Sequence, residues 1–349
     1  LTLNATYTAT ITTGTRDLAG NAIASNYVWS FSTGNTYSVG ITSNPAAGGT
    51  ISGGCTFNSG SSVTINAAPN IGYSFTGWTE NGNSVSVNAN YQFTLTNNRT
   101  FEANFASTKP IVVILGAAST FGGFGGSAGL TSQGIFTVVN GDIGTTAAST
   151  LVTGFHDTGG NVFTETPLNI GQVNGTINCA PPAPGNAAKY SIALQALADA
   201  TIVFNYLAGL PVGPDPGAGE LGALVLAPGT YTAAAGTFKI TSGDLTLDAQ
   251  NNPDAIWVFQ MAKSLTVGKA GQPRSIILVN GAQAKNIFWQ VGSAATINGA
   301  GGGTMAGTII SYSGVTFSTA GNVTLTTLNG RALSLNASVT LVNTIVNVQ

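Results

Sequence analysis

Five threonines recur at one place in a stretch repeated through the last third of the chain. The stretches are ITSGDLTL (240–247), QMAKSLTV (260–267), QVGSAATI (290–297), ISYSGVTF (310–317) and SLNASVTL (334–341), and the threonines are Thr246, Thr266, Thr296, Thr316 and Thr340. Subtracting residue numbers gives intervals of 20, 30, 20 and 24. A row of threonines offers hydroxyls and methyls, groups suited to many weak contacts. It offers no activated nucleophile. The groups that could do acid–base work are few: one histidine, His156, beside Asp157, and the scattered acids Asp142, Glu165, Asp199, Asp215 and Glu220. Hydrolysis needs carboxylates, bases or a metal converging on one cleft, and nothing marks a nucleophile for His156. Asp142 in NGDIG and Asp254 in NNPDA read as turn positions that cap backbone groups. Metal-ligand spacing is absent. The chain is expected to be no enzyme and to carry no cofactor.

Strands must position these threonines. Side chains alternate faces along a strand, so Leu265 and Val267 point one way and Thr266 the other. Short strands between Gly-rich corners predict a solenoid, in which each coil covers its neighbour's apolar face. Stacked, the threonines form a ladder with rungs about 4.7–4.9 Å apart. One segment, NAAKYSIALQALADATIVFNYLAGLP, changes period: Ile192, Ala196, Ala200, Val203 and Leu207 recur at helical spacing, and Gly209 with Pro211 supplies the stop. A helix over about 187–209 is expected, its stripe lying on a solenoid face. Trp257, Phe259, Phe288 and Trp289 sit inside apolar strands and read as core or helix-facing residues.

Composition narrows the partners. Charged residues are 6% of the 349, against roughly 25% in ordinary soluble domains. Ten basic and twelve acidic residues leave no electrostatic footprint for nucleic acid. Hydrophobic content of 43% excludes disorder. There is no run of about eighteen apolar residues, so no membrane span is expected. Cys55 and Cys179 make no disulfide framework. The opening LTLNATYTATI lacks the basic start and apolar core of a signal peptide and reads as mid-strand. The chain is therefore expected to begin part-way through a longer protein.

Residues 1–36 give TYTATITT and NYVWSFST around the turn RDLAGNAIAS, and resemble the closing part of a bacterial immunoglobulin-like domain. Residues 37–106 run strand, Gly-Gly turn, strand, then GYSFTGW before an Asn-Gly hairpin turn. They resemble the divergent internalin-type B-repeat, with Tyr73, Phe75 and Trp78 as core aromatics. Lys109–Pro110 marks a boundary, and residues 110–349 read as one domain.

Within that domain ALVLAPGTY (223–231), WVFQMAKSLTVG, NGAQAKNIFWQVGSAATI and LNGRALSLNASVTL occur in order, with NGDIGTT upstream and one helix after a proline-rich stretch. Together they resemble the microbial ice-binding protein family. The resemblance implies a β-solenoid of triangular section with a helix along one side and coils not stacked in sequence order. Its crossovers are expected to be right-handed by the general rule for parallel connections. The fold class expected is thus mainly β: a right-handed triangular β-solenoid, or β-helix, with one long α-helix alongside, preceded by small all-β or β-grasp-like modules. In that family the ice site is a flat solenoid face with few charges. Carried over through strand geometry, the expected site is Thr246, Thr266, Thr296, Thr316 and Thr340. Ser264, Ala294 and Ser338 flank it on one side, and Asn298 and Ser318 on the other. Asp244 and Asp248 set the Thr246 strand apart. Stacked threonines have restricted rotamers and are rigid before a partner arrives. Alternate residues of a strand lie about 6.5–7 Å apart, and both repeats are commensurate with oxygen rows in ice. The expected partner is an ice crystal surface, met by a monomer that is secreted or displayed at a cell surface through its upstream modules. The rivals are a surface adhesin binding glycan or protein, and a polysaccharide-degrading β-helix.

Overall fold

The computed structural model describes residues 1–2, 5–107 and 111–349. The chain divides into two compact units, Leu1–Pro110 and Ile111–Gln349. The expected Lys109–Pro110 boundary itself lies outside the described residues.

In the first unit, Thr6–Ile11 and Tyr27–Ser32 form an antiparallel two-stranded sheet. Tyr27, Trp29 and Phe31 alternate onto one face and remain exposed. Residues 36–107 form a five-stranded and a three-stranded sheet over a core that includes Trp78, Phe101, Val63 and Ile65. Phe75 and Tyr73 pack against that core, as expected of all three GYSFTGW aromatics. The only helical turn there is the short 3-10 segment Ala46–Gly48. One ion pair stiffens the module: Arg99 donates from Nε and Nη2 to the two Glu80 carboxylate oxygens at 2.9 and 2.6 Å. Its guanidinium also lies 4.7 and 4.6 Å from the ring centroids of Phe93 and Phe101. The hydrogen bond from Arg99 holds the Glu80 carboxyl below its usual range. Removing a bidentate, stacked guanidinium loses packing and charge together, so Arg99→Ala should cost about 1–3 kcal/mol. Arg99→Lys should recover only part, because an ammonium cannot fork. Hydrogen exchange over residues 36–107 would read both, and unchanged protection in Arg99→Ala would refute the assignment.

The second unit is a curled parallel sheet of short strands with a separate three-stranded sheet and one helix. Its strands stack in three runs. The first run passes through Gly229–Thr232, Trp257–Met261 and Ile287–Val291, then through the ends of Thr304–Ser311 and Thr326–Ser334. The second carries the threonines. The third begins with Val225–Leu226, Leu245–Asp248 and Ile276–Val279. Apolar side chains of all three point inward, where Phe259 and Trp289 stack at 4.0 Å between centroids. Each fully buried Leu, Val or Phe there contributes about 1.5–3 kcal/mol. Trp257, Phe259 and Trp289 are core, and Phe288 faces the helix, in line with the reading from sequence.

Stacking does not follow chain order. The amino-terminal strand Phe121–Gly125 sits between Thr326–Ser334 and Asp142–Ala148, and Leu130–Asn140 pairs with both Val339–Val342 and Thr344–Asn347. The last strands of the chain thus lie inside the stack, covered by the first strands of the unit. Between Thr304–Ser311 and Thr326–Ser334, Gly330 pairs with Gly307 and has φ 151°, and a Cβ there would come within 1.9 Å of the Gly307 carbonyl oxygen. Only glycine lets adjacent coils turn this close.

The helix runs Ala187–Ala208, capped at its start by the Asn186 side chain, which accepts from the Lys189 N–H at 2.9 Å. Its buried stripe is Ala193, Ala196, Ala200, Val203 and Leu207. Ile192, expected in that stripe, is 49% exposed. The small residues let the helix lie close on Val258, Phe288, Ile310 and Leu333 of the first run. By length and composition it could cross a membrane, yet this stripe is packed on the sheet.

Candidate functional site

Four of the five threonines share one run of strands. Thr266 of Leu265–Val267 pairs with Thr296 of Ala294–Ile297, Thr296 with Thr316 of Gly314–Phe317, and Thr316 with Thr340 of Val339–Val342. The run does not stop there. Thr340 pairs with Thr131, and Thr131 with Thr153, whose hydroxyls are hydrogen-bonded at 3.1 Å. Six threonines therefore occupy six consecutive rungs, spanning about 24 Å at the usual strand spacing. Thr296 and Thr316 are exposed and the other four half-buried. Lys239 of Phe238–Ile240 occupies the rung beyond Thr266. Behind the row, Leu265, Ala295, Val315, Val339, Leu130 and Val152 are buried. These inward neighbours fix each threonine's orientation.

Thr131 and Thr153 escaped the sequence pattern because each is preceded by an apolar residue but not followed by one. Ser132 and Gly154 stand where the repeat has Leu, Val, Ile or Phe.

Thr246 is a correction. Its strand, Leu245–Asp248, pairs with Val225–Leu226 and Ile276–Val279 in the separate three-stranded sheet, where Thr246 lies between Val225 and Ile277. The structure brings it nowhere into the ladder. Asn298 and Ser318 are corrected too. Alternation points both outward if the strand continues past the inward apolar residue, but there the backbone turns through φ 45° and 62°. Both are 1% exposed. The Asn298 side chain accepts from the Arg274 N–H at 2.8 Å and donates to its carbonyl at 2.9 Å, clamping the corner. Ser264, Ala294 and Ser338 do lie beside the row: Ala294 is exposed, Ser264 and Ser338 half-buried, and Gly314 faces Ala294. The accessible face is thus two columns wide, one of threonines and one of small residues.

No charged side chain lies on the six threonine rungs, and the acids are engaged elsewhere. Asp157 accepts from the Asn161 backbone and side chain, and Asp142 accepts from the Thr176 N–H at 2.7 Å. At the NNPDA turn the capping acceptor is Asn252, which takes the Asp254 N–H at 3.0 Å. His156 does not pair with Asp157. Its Nδ1 meets Glu165 at 2.5 Å and its Nε2 meets Gln172 at 2.7 Å. A hollow of about 520 Å³ at the corner beyond the ladder is lined by Ile135, Phe136, Leu168 and Val323 among neutral residues only, so it holds no acid or base. A smaller one, about 370 Å³, runs beside Thr266 and Thr296 against Lys269 and Thr319. Among the described residues no three His, Cys, Asp or Glu side chains could hold a metal together.

Comparison with known proteins gives this geometry a family. Residues 124–347 match the profile described as Ice-binding-like, residues 39–109 that of the divergent InlB B-repeat domain, and residues 1–33 that of a bacterial Ig-like domain. The ice-binding protein of Nostoc sp. (strain HG1) is 35% identical over 231 residues, which cover 66% of this chain and 72% of that protein. Ice-binding protein 1 of Shewanella frigidimarina (strain NCIMB 400) is 36% identical over 154 residues, 42% of this chain but 16% of its own length. The crystal structure of an ice binding protein from an Antarctic Biological Consortium superposes with a TM-score of 0.54 at 31% identity, covering 69% of this chain and 93% of that one. With its six-threonine row inside the matched residues, the chain belongs to the ice-binding-like family.

Proposed function

We propose that this protein binds ice through the row Thr266–Thr296–Thr316–Thr340–Thr131–Thr153 and the small residues Ser264, Ala294 and Ser338 beside it. The observation that carries the reading is the register: six threonines on consecutive rungs of parallel strands, in a chain of the ice-binding-like family. Each hydroxyl and methyl makes a weak contact. Because the side chains are already held by the strands beneath, many contacts form together at little ordering cost. Uncharged rungs leave no ion holding its hydration shell in a geometry foreign to ice. Lys239 then ends the array on one side. The coil is proposed to be right-handed and triangular in section, consistent with parallel crossovers and three runs of strands. The upstream modules, over 1–36 and 37–106, are proposed as a spacer that displays the 110–349 ice-binding domain outside the cell. The row supplies no chemistry for an enzyme.

The test is ice-affinity uptake. Fluorescently labelled full chain, and the 110–349 fragment beside it, should be incorporated into a growing ice hemisphere. The fragment should unfold cooperatively with a mostly β circular dichroism signal. Exclusion of both from the ice would sink the reading. A fragment that aggregates while the full chain behaves well would refute only the boundary.

A further inference from the structure

Beyond Val152–Thr153 the stack ends in an antiparallel flap. Phe155–Asp157 pairs in parallel with Asn169–Val173 and antiparallel with Val162–Phe163. Phe155 and Phe163, 0% and 2% exposed, close that end of the core. The flap is held by the Gly154 N–H, which donates to the carbonyls of Phe163 and Thr164 at 2.8 and 3.1 Å. His156 adds a side-chain clamp, reaching Glu165 beyond the flap at 2.5 Å and Gln172 of the adjoining strand at 2.7 Å. Gln172 donates its amide nitrogen to the Val173 carbonyl at 3.1 Å, so its oxygen is the atom that faces the ring. An ionised carboxylate can only accept, and so can that amide oxygen. Two acceptors thus face the two ring nitrogens, and only a doubly protonated imidazolium satisfies both.

We propose that His156 is a pH-sensitive latch, whose protonated ring pins the 158–168 cap onto the end of the solenoid and whose deprotonation frees it. The proposal stands whether or not the ladder binds ice. The charged groups around the ring are Glu165 from the cap and Asp157 on its own strand; Gln172 and the facing Val162 are neutral. The hydrogen bond to Glu165, foremost, raises the His156 pKa above its ordinary value, against a smaller opposing effect of burial. A raised folded-state pKa means that the stabilisation is fully present below the free histidine value, about 6.5, and is lost as pH rises through the raised one. Solenoids depend on their end caps to cover the last coil, so the loosening is expected at this end and not through the stack.

Hydrogen exchange of the full chain between about pH 5 and 9 tests this, with rates corrected for the intrinsic pH dependence of amide exchange. Peptides covering 154–168 should open by up to about tenfold more per pH unit across the interval between the free and raised values. Peptides from the helix, 187–208, should stay level. Glu165→Gln replaces the carboxylate with an amide that can turn to donate to a neutral ring, so its cap should lose the pH slope. His156→Gln should lose it as well. A level profile in the natural protein would overturn the proposal, as would a slope that survives in Glu165→Gln. If His156→Gln opens the cap at every pH, the Glu165→Gln profile decides.

Discussion

Thr296→Tyr should abolish most of this protein's affinity for ice while leaving it folded. Thr296 is exposed on the second rung of the row, with Ala295 and Ile297 turned into the core on either side. Both inward neighbours are kept, so stability should change by no more than about 0.5 kcal/mol, as for other surface substitutions. The ring would nonetheless stand off the plane and hold ice away from the adjacent rungs, Thr266 and Thr316. Apparent affinity should therefore fall by about tenfold or more, over about 1.4 kcal/mol, which exceeds the loss of one weak contact. Thr316→Tyr should act alike. Thr153→Tyr, at the end of the row, should cost less, because the ring there has neighbouring threonine rungs on one side only. Thr246→Tyr should leave activity unchanged, since Thr246 lies in another sheet. Thermal-hysteresis or recrystallisation assays beside melting temperatures would read the series. Wild-type ice activity in folded Thr296→Tyr and Thr316→Tyr would move the site to another face.

The contrast between Thr246 and Thr296 shows where sequence reading ends. Both sit in a residue–threonine–apolar strand, and alternation identifies the strand and its inward side from residue types alone. It does not say which of a coil's three runs the strand joins. That depends on the corners, and corners are written in backbone angles. Asn298 and Ser318 failed for this reason: two polar residues two places beyond a threonine look outward until left-handed turns bury them. Thr131 and Thr153 were hidden for a different one. Their rungs come from the amino-terminal strands, which reach the row only because those strands stack on the end of the chain. No local pattern announces a contact between residues 131 and 340. The helix is legible almost to its ends because period and stop signals are both local. Even there the stripe differs at one residue: the pattern points to the larger Ile192, and the structure buries Ala193 in its place.

That stripe carries the largest expected loss of stability. Ala196 is 1% exposed and belongs to the cluster that joins the helix to Val258, Phe288, Ile310 and Leu333. Its small side chain lets the helix approach these residues closely. Ala196→Glu would place an ionised carboxylate in this apolar seam. An unpaired buried charge costs several kcal/mol, an appreciable share of the roughly 5–15 kcal/mol that holds a domain together. The variant should therefore be unfolded or insoluble, with ice activity lost only as a consequence. Ile192→Glu, four residues earlier at a position 49% exposed, introduces the same charge and should melt within a few degrees of the natural protein. The pair separates burial from charge. If Ala196→Glu instead stays folded and active, with the helix exchanging its amides freely, then the helix is a detachable strip and the solenoid stands without it.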